Sequence, residues 1–141
     1  MKKVAVVTAG GSLVIRRGPT VGGGTLPIKS EDLIAQLLHS GVELEFTEFS
    51  SVPGSHFTPA QGLELARQVE NLLDDETIDG VVITHGADTL EETAYLLDLS
   101  VGAEKPVVVT GAAHAPAAPG YDGLSNLAGA IRVAAAVEAR E

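Results

Sequence analysis

Gly80-Val81-Val82-Ile83-Thr84-His85-Gly86-Ala87-Asp88-Thr89-Leu90-Glu91-Glu92-Thr93-Ala94-Tyr95-Leu96-Leu97 is the stretch that decides the fold. Gly80 to Thr84 is a short apolar run rich in β-branched residues, which predicts a strand. His85-Gly86-Ala87 closes it with a loop of small and polar residues. Asp88 then stands where a helix needs an N-cap, and Glu91, three residues on, completes the spacing of a capping box. Leu90, Ala94, Tyr95 and Leu97 supply the buried face of the helix that follows.

The same order of strand, loop and capped helix extends in both directions. Upstream, Val4 to Thr8 is a β-branched run closed by Ala9-Gly10-Gly11. Ser30 offers an N-cap, with Glu31 and Asp32 in the first turn, an apolar stripe at Leu33, Ile34, Leu37 and Leu38, and Gly41 as the stop. Val42 to Phe49 alternates apolar and polar, as a half-buried strand does. Thr58-Pro59 opens another helix, with its stripe at Leu63, Leu65, Ala66, Val69, Leu72 and Leu73. Downstream, Pro106 to Thr110 reads as a buried strand. Ser125 caps a last helix that buries Leu127, Ala130, Ile131, Val133 and Ala134. The alternation predicts one α/β domain over residues 1–141: a three-layer α/β/α sandwich with a mainly parallel, flavodoxin- or Rossmann-like sheet and right-handed crossovers.

Composition narrows the function. The 141 residues are 45% hydrophobic and 20% charged, which suits a packed core without staples. Only 4% are aromatic, so that core is built from Val, Ile, Leu and Ala. The net charge of −10 argues against nucleic acid, which needs a basic footprint, and against anionic membranes. The absence of cysteine excludes a disulfide framework, a thiolate nucleophile and thiolate-bound zinc. No apolar stretch reaches the length of a membrane span, and the run after Met1-Lys2-Lys3 is shorter than that of a signal peptide, so the expected location is the cytoplasm. His39, His56, His85 and His114 are scattered without metal-ligand spacing, and neither a metal nor another cofactor is expected.

Ligands of such sheets bind beyond the carboxyl ends of the strands, where three loops rich in Gly and small residues lie. In Thr8-Ala9-Gly10-Gly11-Ser12, the glycines let backbone approach a ligand, and Ser12 is a nucleophile or anchor. Read alone, the fragment also describes a plain turn. It lacks the G-x-G-x-x-G pattern and the Gly-Lys-Ser/Thr ending of phosphate loops. In the second loop Asp88 either stabilises a helix end or meets a substrate ammonium, and His85 either carries a proton or closes a strand. The third, Gly111-Ala112-Ala113-His114-Ala115-Pro116 on to Gly120-Tyr121-Asp122-Gly123, adds His114 and Asp122. The patternless run from Arg16 to Thr25, with its Gly22-Gly23-Gly24, is either a hinged lid or an insertion without a role. A Ser12, His85 and Asp88 triad can be drawn, but the G-x-S-x-G elbow is missing.

Taken together, these segments resemble the L-asparaginase family. Thr8-Ala9-Gly10-Gly11-Ser12-Leu13 is similar to its first signature, T-G-G-T-I. Thr84 to Ala94 is similar to its second, T-H-G-T-D-T-x-E-E-T-A. Val52 to Thr58 resembles its substrate loop, and Lys105 to Ala112 with Asp122-Gly123 and Asn126-Leu127 resembles the strand, loop and helix that follow. The resemblance implies that the family's nucleophilic threonine is Ser12 here, which keeps a hydroxyl. The second catalytic threonine is Ala87, which cannot relay a proton. The aspartate that holds the substrate's amino group is Asp88. The serine that clasps the substrate carboxylate aligns with Gly54, and Ser55 stands beside it. The Met-Arg pair of the family is Ala113-His114. The lid tyrosine has no counterpart, and the catalytic lysine and C-terminal domain would lie past Glu141.

The expected site therefore has Ser12, His85 and Asp88 as catalytic candidates, with Gly11, Gly54, Ser55, Gly86, Ala87, Asp88, Ala112 and His114 around a small-molecule substrate. Losing triad members costs hydrolases roughly 10⁴-fold or more in rate. One reading is an asparaginase-like enzyme for a small amino acid or amide relative, with altered chemistry such as acyl transfer, elimination or cyclisation. The other is an amino-acid-binding module or pseudoenzyme that pairs with a separate chain. A third is one piece of a longer protein. A homodimer or higher oligomer is expected under each.

Overall fold

Val4-Ala5-Val6-Val7 and Val81-Val82-Ile83 have no polar face, and both become central strands covered on two sides. The computed structural model describes residues 1–11, 41–102, 104–115 and 118–139, together with the backbone of Ile15–Arg16 and Ile28–Lys29. The elements are β1 (Lys2–Ala9), β2 (Ile15–Arg16), β3 (Ile28–Lys29), β4 (Val42–Ser50), α1 (Pro59–Asp74), β5 (Gly80–Thr84), α2 (Leu90–Ser100), β6 (Val107–Thr110) and α3 (Gly123–Ala135). The main sheet is parallel, in the order β4-β1-β5-β6. β2 and β3 pair with each other in a separate two-residue parallel ladder. The helix expected from Ser30 to Leu38 lies outside the described residues.

Alternate residues of each strand feed two cores. Ala5, Val7, Ala9, Val81 and Ile83 pack with Leu65, Ala66, Val69 and Leu73 of α1 and Leu97 of α2. On the opposite face Val4, Val6 and Val82 pack with Leu127, Ala130, Ile131 and Ala134 of α3. This is the expected α/β/α sandwich. Because β1 lies between β4 and β5, the chain leaves β1 in one direction and returns past it in the other. Such a switch point opens a crevice at the carboxyl ends of the strands on either side of it, here Ala9-Gly10-Gly11 and His85-Gly86.

The structure corrects several local expectations. Asp88 does not cap α2: the N-cap residue is Thr89, which makes no side-chain cap bond, and the Glu91 capping box is not formed. The Thr89 hydroxyl instead donates to Gly54 O across loops, at 2.9 Å. A complete capping box closes α1, between Thr58 and Gln61. Ser125 lies inside the first turn of α3, whose N-cap residue is Asp122, and its hydroxyl donates to Asp122 O. Leu63, Tyr95 and Val133 belong to the expected apolar stripes but are exposed. Val133 lines a groove of about 490 Å³ that follows the outer edge of β6 between α2 and α3.

Close backbone approach fixes the seat of α3. A β-carbon at Gly80 would collide with Ala134 O and stand 3.2 Å from Pro106 O. Gly80→Ala is therefore expected to destabilise the fold by about 1–3 kcal/mol, as overpacking does. Thermal unfolding measures it, and an unchanged midpoint would show that α3 is free to shift.

Candidate functional site

The crevice is built from glycines. Gly10 and Gly11 hold φ of 92° and 83°, a region that side chains rarely enter. A β-carbon at Gly10 would strike Val52 O, and one at Gly11 would lie 2.5 Å from Gly86 N. Gly11 N–H donates to Val52 O at 3.4 Å. The tip of β1 is thereby pressed between the loop after β4 and the loop after β5. Gly54 begins a 3-10 turn, Gly54–His56, and is buried. Its α-carbon stands 2.7 Å from where a β-carbon on Gly86 would be.

Asp88 is exposed at the mouth of this junction. A β-carbon on Gly54 would collide with its Oδ1, and one on Gly86 would lie 2.6 Å from the same atom. Among the described residues its carboxylate has no hydrogen bond or ion pair. Gly54 occupies the position where the family resemblance places a serine, and the structure has no room for a side chain there while Asp88 stays in place. Ser55, beside it, is exposed, as is Ala87.

His85 lies beneath the loop, fully buried. Its Nδ1 is 3.0 Å from Gly86 O, and its Nε2 is 3.0 Å from the Thr93 hydroxyl. The ring meets Phe57 edge-on, with centroids 4.6 Å apart. Sequence reading gave His85 a candidate role and placed Thr93 and Phe57 only within longer motifs. Thr93 is one turn into α2, eight residues after His85, and its buried hydroxyl appears only in the structure. Phe57 is distant in sequence and carries no signal of its contact with the ring.

The loop after β6 joins from the other side. His85 N donates to Thr110 O at 2.8 Å, and a β-carbon on Gly111 would stand 2.8 Å from His85 O. Ala112 buries its methyl in the core below, while His114 is exposed. Asp122 holds this loop. Its carboxylate accepts from the N–H groups of Ala113 at 3.2 Å and His114 at 3.1 Å, and from the Asn126 amide at 2.8 Å. The second hydrogen of that amide group reaches Gly111 O at 3.0 Å. The Ala113 N–H first, then that of His114 and the Asn126 amide, hold the Asp122 carboxyl at about 2, against a partial opposing effect of burial. Burial, and then the Asp122 charge, raise the Tyr121 phenol.

Gly11, Gly54, Gly86 and Asp88 thus form one junction, with Ser55 and Ala87 exposed at its rim. Ala112 and His114 sit on the loop that braces it. Ser12 lies outside the described residues, as does most of the run from Arg16 to Thr25. No group of three or more His, Asp or Glu able to hold a metal occurs among the described residues. None of the described helices is long and apolar enough to cross a membrane.

The glycine-built crevice, at the switch point of a parallel sheet, carries an Asp88 carboxylate without a partner among the described residues, at the place where α/β proteins of this class hold their ligands. Residues 3–141 match the N-terminal domain of the asparaginase family, and the chain belongs to that family. It is 38% identical to the L-asparaginase of Bacillus licheniformis over 134 residues, covering 94% of this chain and 42% of that protein. It is 36% identical to the glutaminase-asparaginase of Pseudomonas aeruginosa, covering 96% of this chain and 39% of that one. The crystal structure of a probable cytoplasmic L-asparaginase from Campylobacter jejuni superposes with a TM-score of 0.84 at 31% identity, over 99% of this chain and 44% of the other. The chain therefore spans less than half the length of these relatives.

The Asp122 tie has a pH signature. Its folded value lies below the ordinary 3.8, so its contribution is present above that value and is lost as pH falls through about 2. The amide resonances of Ala113 and His114 are expected to move with that midpoint, and Asp122→Asn is expected to abolish the transition. A midpoint near 3.8 would show that these bonds are not made.

Proposed function

We propose that this chain forms the amino-acid-binding part of an asparaginase-type site whose chemistry has diverged. The carrying observation is the Asp88 carboxylate, exposed at the junction of Gly11, Gly54 and Gly86 with no partner among the described residues. A carboxylate so placed suits the α-ammonium of a small amino acid, through a charge-assisted hydrogen bond. The N–H groups of the glycine loops suit the other end of the ligand. Ser12, next in sequence after Gly11, supplies the hydroxyl that attacks or anchors the side-chain amide. Relatives named L-asparaginase and glutaminase-asparaginase support a substrate of the amino acid or amide class.

Ala87 carries the proposal of altered chemistry. The second signature of the family resemblance has a threonine there, and a methyl group neither accepts nor donates a proton. The loop that would act on the nucleophile keeps its carboxylate and has no hydroxyl at position 87. The same residue favours the second reading, a module that binds an amino acid without turnover and pairs with another chain. Self-association belongs to this proposal, with exposed Tyr95, Leu99 and Val133 as candidate contact residues.

Calorimetry with L-aspartate and L-asparagine, beside an assay for released ammonia, separates the readings. Asp88→Ala is expected to weaken binding roughly 10- to 100-fold, the range of a charged hydrogen bond. Ammonia release above that of Ser12→Ala supports a hydrolase. Binding with equal traces in both supports the module. Identical ligand affinity in the wild type and Asp88→Ala would remove the site itself.

A further inference from the structure

We infer that His85 is a positioning residue, one that with Thr93 fixes the Gly86 carbonyl and so sets where Asp88 stands. The inference rests on the reading of Asp88 as the ligand's carboxylate. His85 is 0% exposed, and both of its ring nitrogens are occupied. Gly86 O can only accept, so Nδ1 carries a proton. In the neutral ring Nε2 then accepts from the Thr93 hydroxyl, and no lone pair or N–H remains to face the crevice. A proton carrier for a bound ligand needs such a free position within hydrogen-bond reach.

What the ring does instead is hold backbone. The Gly86 carbonyl is held by His85 Nδ1 and, at 3.4 Å, by Thr89 N–H, so one oxygen marks the corner of the loop. Thr93 N–H donates in turn to Thr89 O, which joins the clamp to the first turn of α2. Phe57, three residues after Gly54, fixes the ring's edge. Thr110 O fixes His85's own N–H. The imidazole therefore gathers α2, the Gly54 turn and the Gly86 loop, while the backbone of His85 ties them to the tip of β6. Asp88 is two residues beyond the clamped carbonyl and seated on Gly54, so its place follows from theirs. A β-carbon on Gly86 would already crowd both Gly54 N, at 2.9 Å, and Asp88 Oδ1. Slack in this loop has nowhere to go except into the position of the carboxylate.

Thr93→Val removes the hydroxyl while keeping the branched shape, and Thr93→Ser keeps the hydroxyl. Titrating L-aspartate, Thr93→Val is expected to bind about tenfold more weakly and Thr93→Ser to recover most of the loss. The ¹⁵N shifts of the His85 ring are expected to show the Nδ1–H tautomer in the wild type. The amide resonances of Gly86, Ala87 and Asp88 are expected to move in Thr93→Val. Wild-type affinity in Thr93→Val, equal losses in both variants in proportion to lowered thermal stability, or an Nε2–H tautomer would each overturn the inference. Should the wild type itself fail to bind L-aspartate, the reading of Asp88 falls separately. The tautomer and the loop resonances then still decide the role of His85.

Discussion

The absence of β-carbons at the strand tips is the constraint on which the rest of the site depends. Gly11, Gly54 and Gly86 bring the loops after β1, β4 and β5 so close that any one side chain would occupy backbone or the Asp88 carboxylate. Side-chain packing holds elements roughly 10 Å apart, whereas backbone packed on backbone fixes loops within van der Waals contact. The junction thus gains rigidity from contact rather than from a network of ion pairs. Among the described residues it leaves backbone and the Asp88 carboxylate at the surface of the junction.

Support for this junction comes from below and from the side. Below it, His85 is a buried polar group with its hydrogen-bonding capacity met, which turns a potential cost of burial into a specification of loop shape. To the side, Asp122 acts on three N–H groups from Ala113, His114 and Asn126 and ties the loop after β6 to the start of α3. Both devices place the polar side chain where it shapes backbone. This explains how loops so poor in bulky residues keep a defined form.

Family membership and the packing of the strand tips fit together. The junction from Gly10-Gly11 through Gly54 to Gly86 and Asp88 is packed backbone on backbone, while Ala87 stands at its exposed rim. A side chain at the rim can change without disturbing the packing beneath it. The position of Gly54 is coupled to Asp88 by contact, so those two residues are best regarded as one unit.

By itself the sequence determined the architecture and the order of its parts. Apolar runs at Val4–Val7 and Val81–Ile83 can be buried only in a sheet covered on both faces, and helical stripes between them dictate where the covers come from. It also marked the glycine loops that meet at the strand tips, because glycine runs after strands permit close backbone approach. It misplaced the caps at Asp88 and Ser125, since a capping pattern is local while Thr89 is drawn across the fold to Gly54 O. It left His85 between two roles, and only the tertiary structure showed its ring closed off by Thr93, Gly86 and Phe57. Which strand-tip residues touch is a property of strand order: β1 sits between β4 and β5, and nothing in the spacing of Gly11, Gly54 and Gly86 along the chain states that they meet.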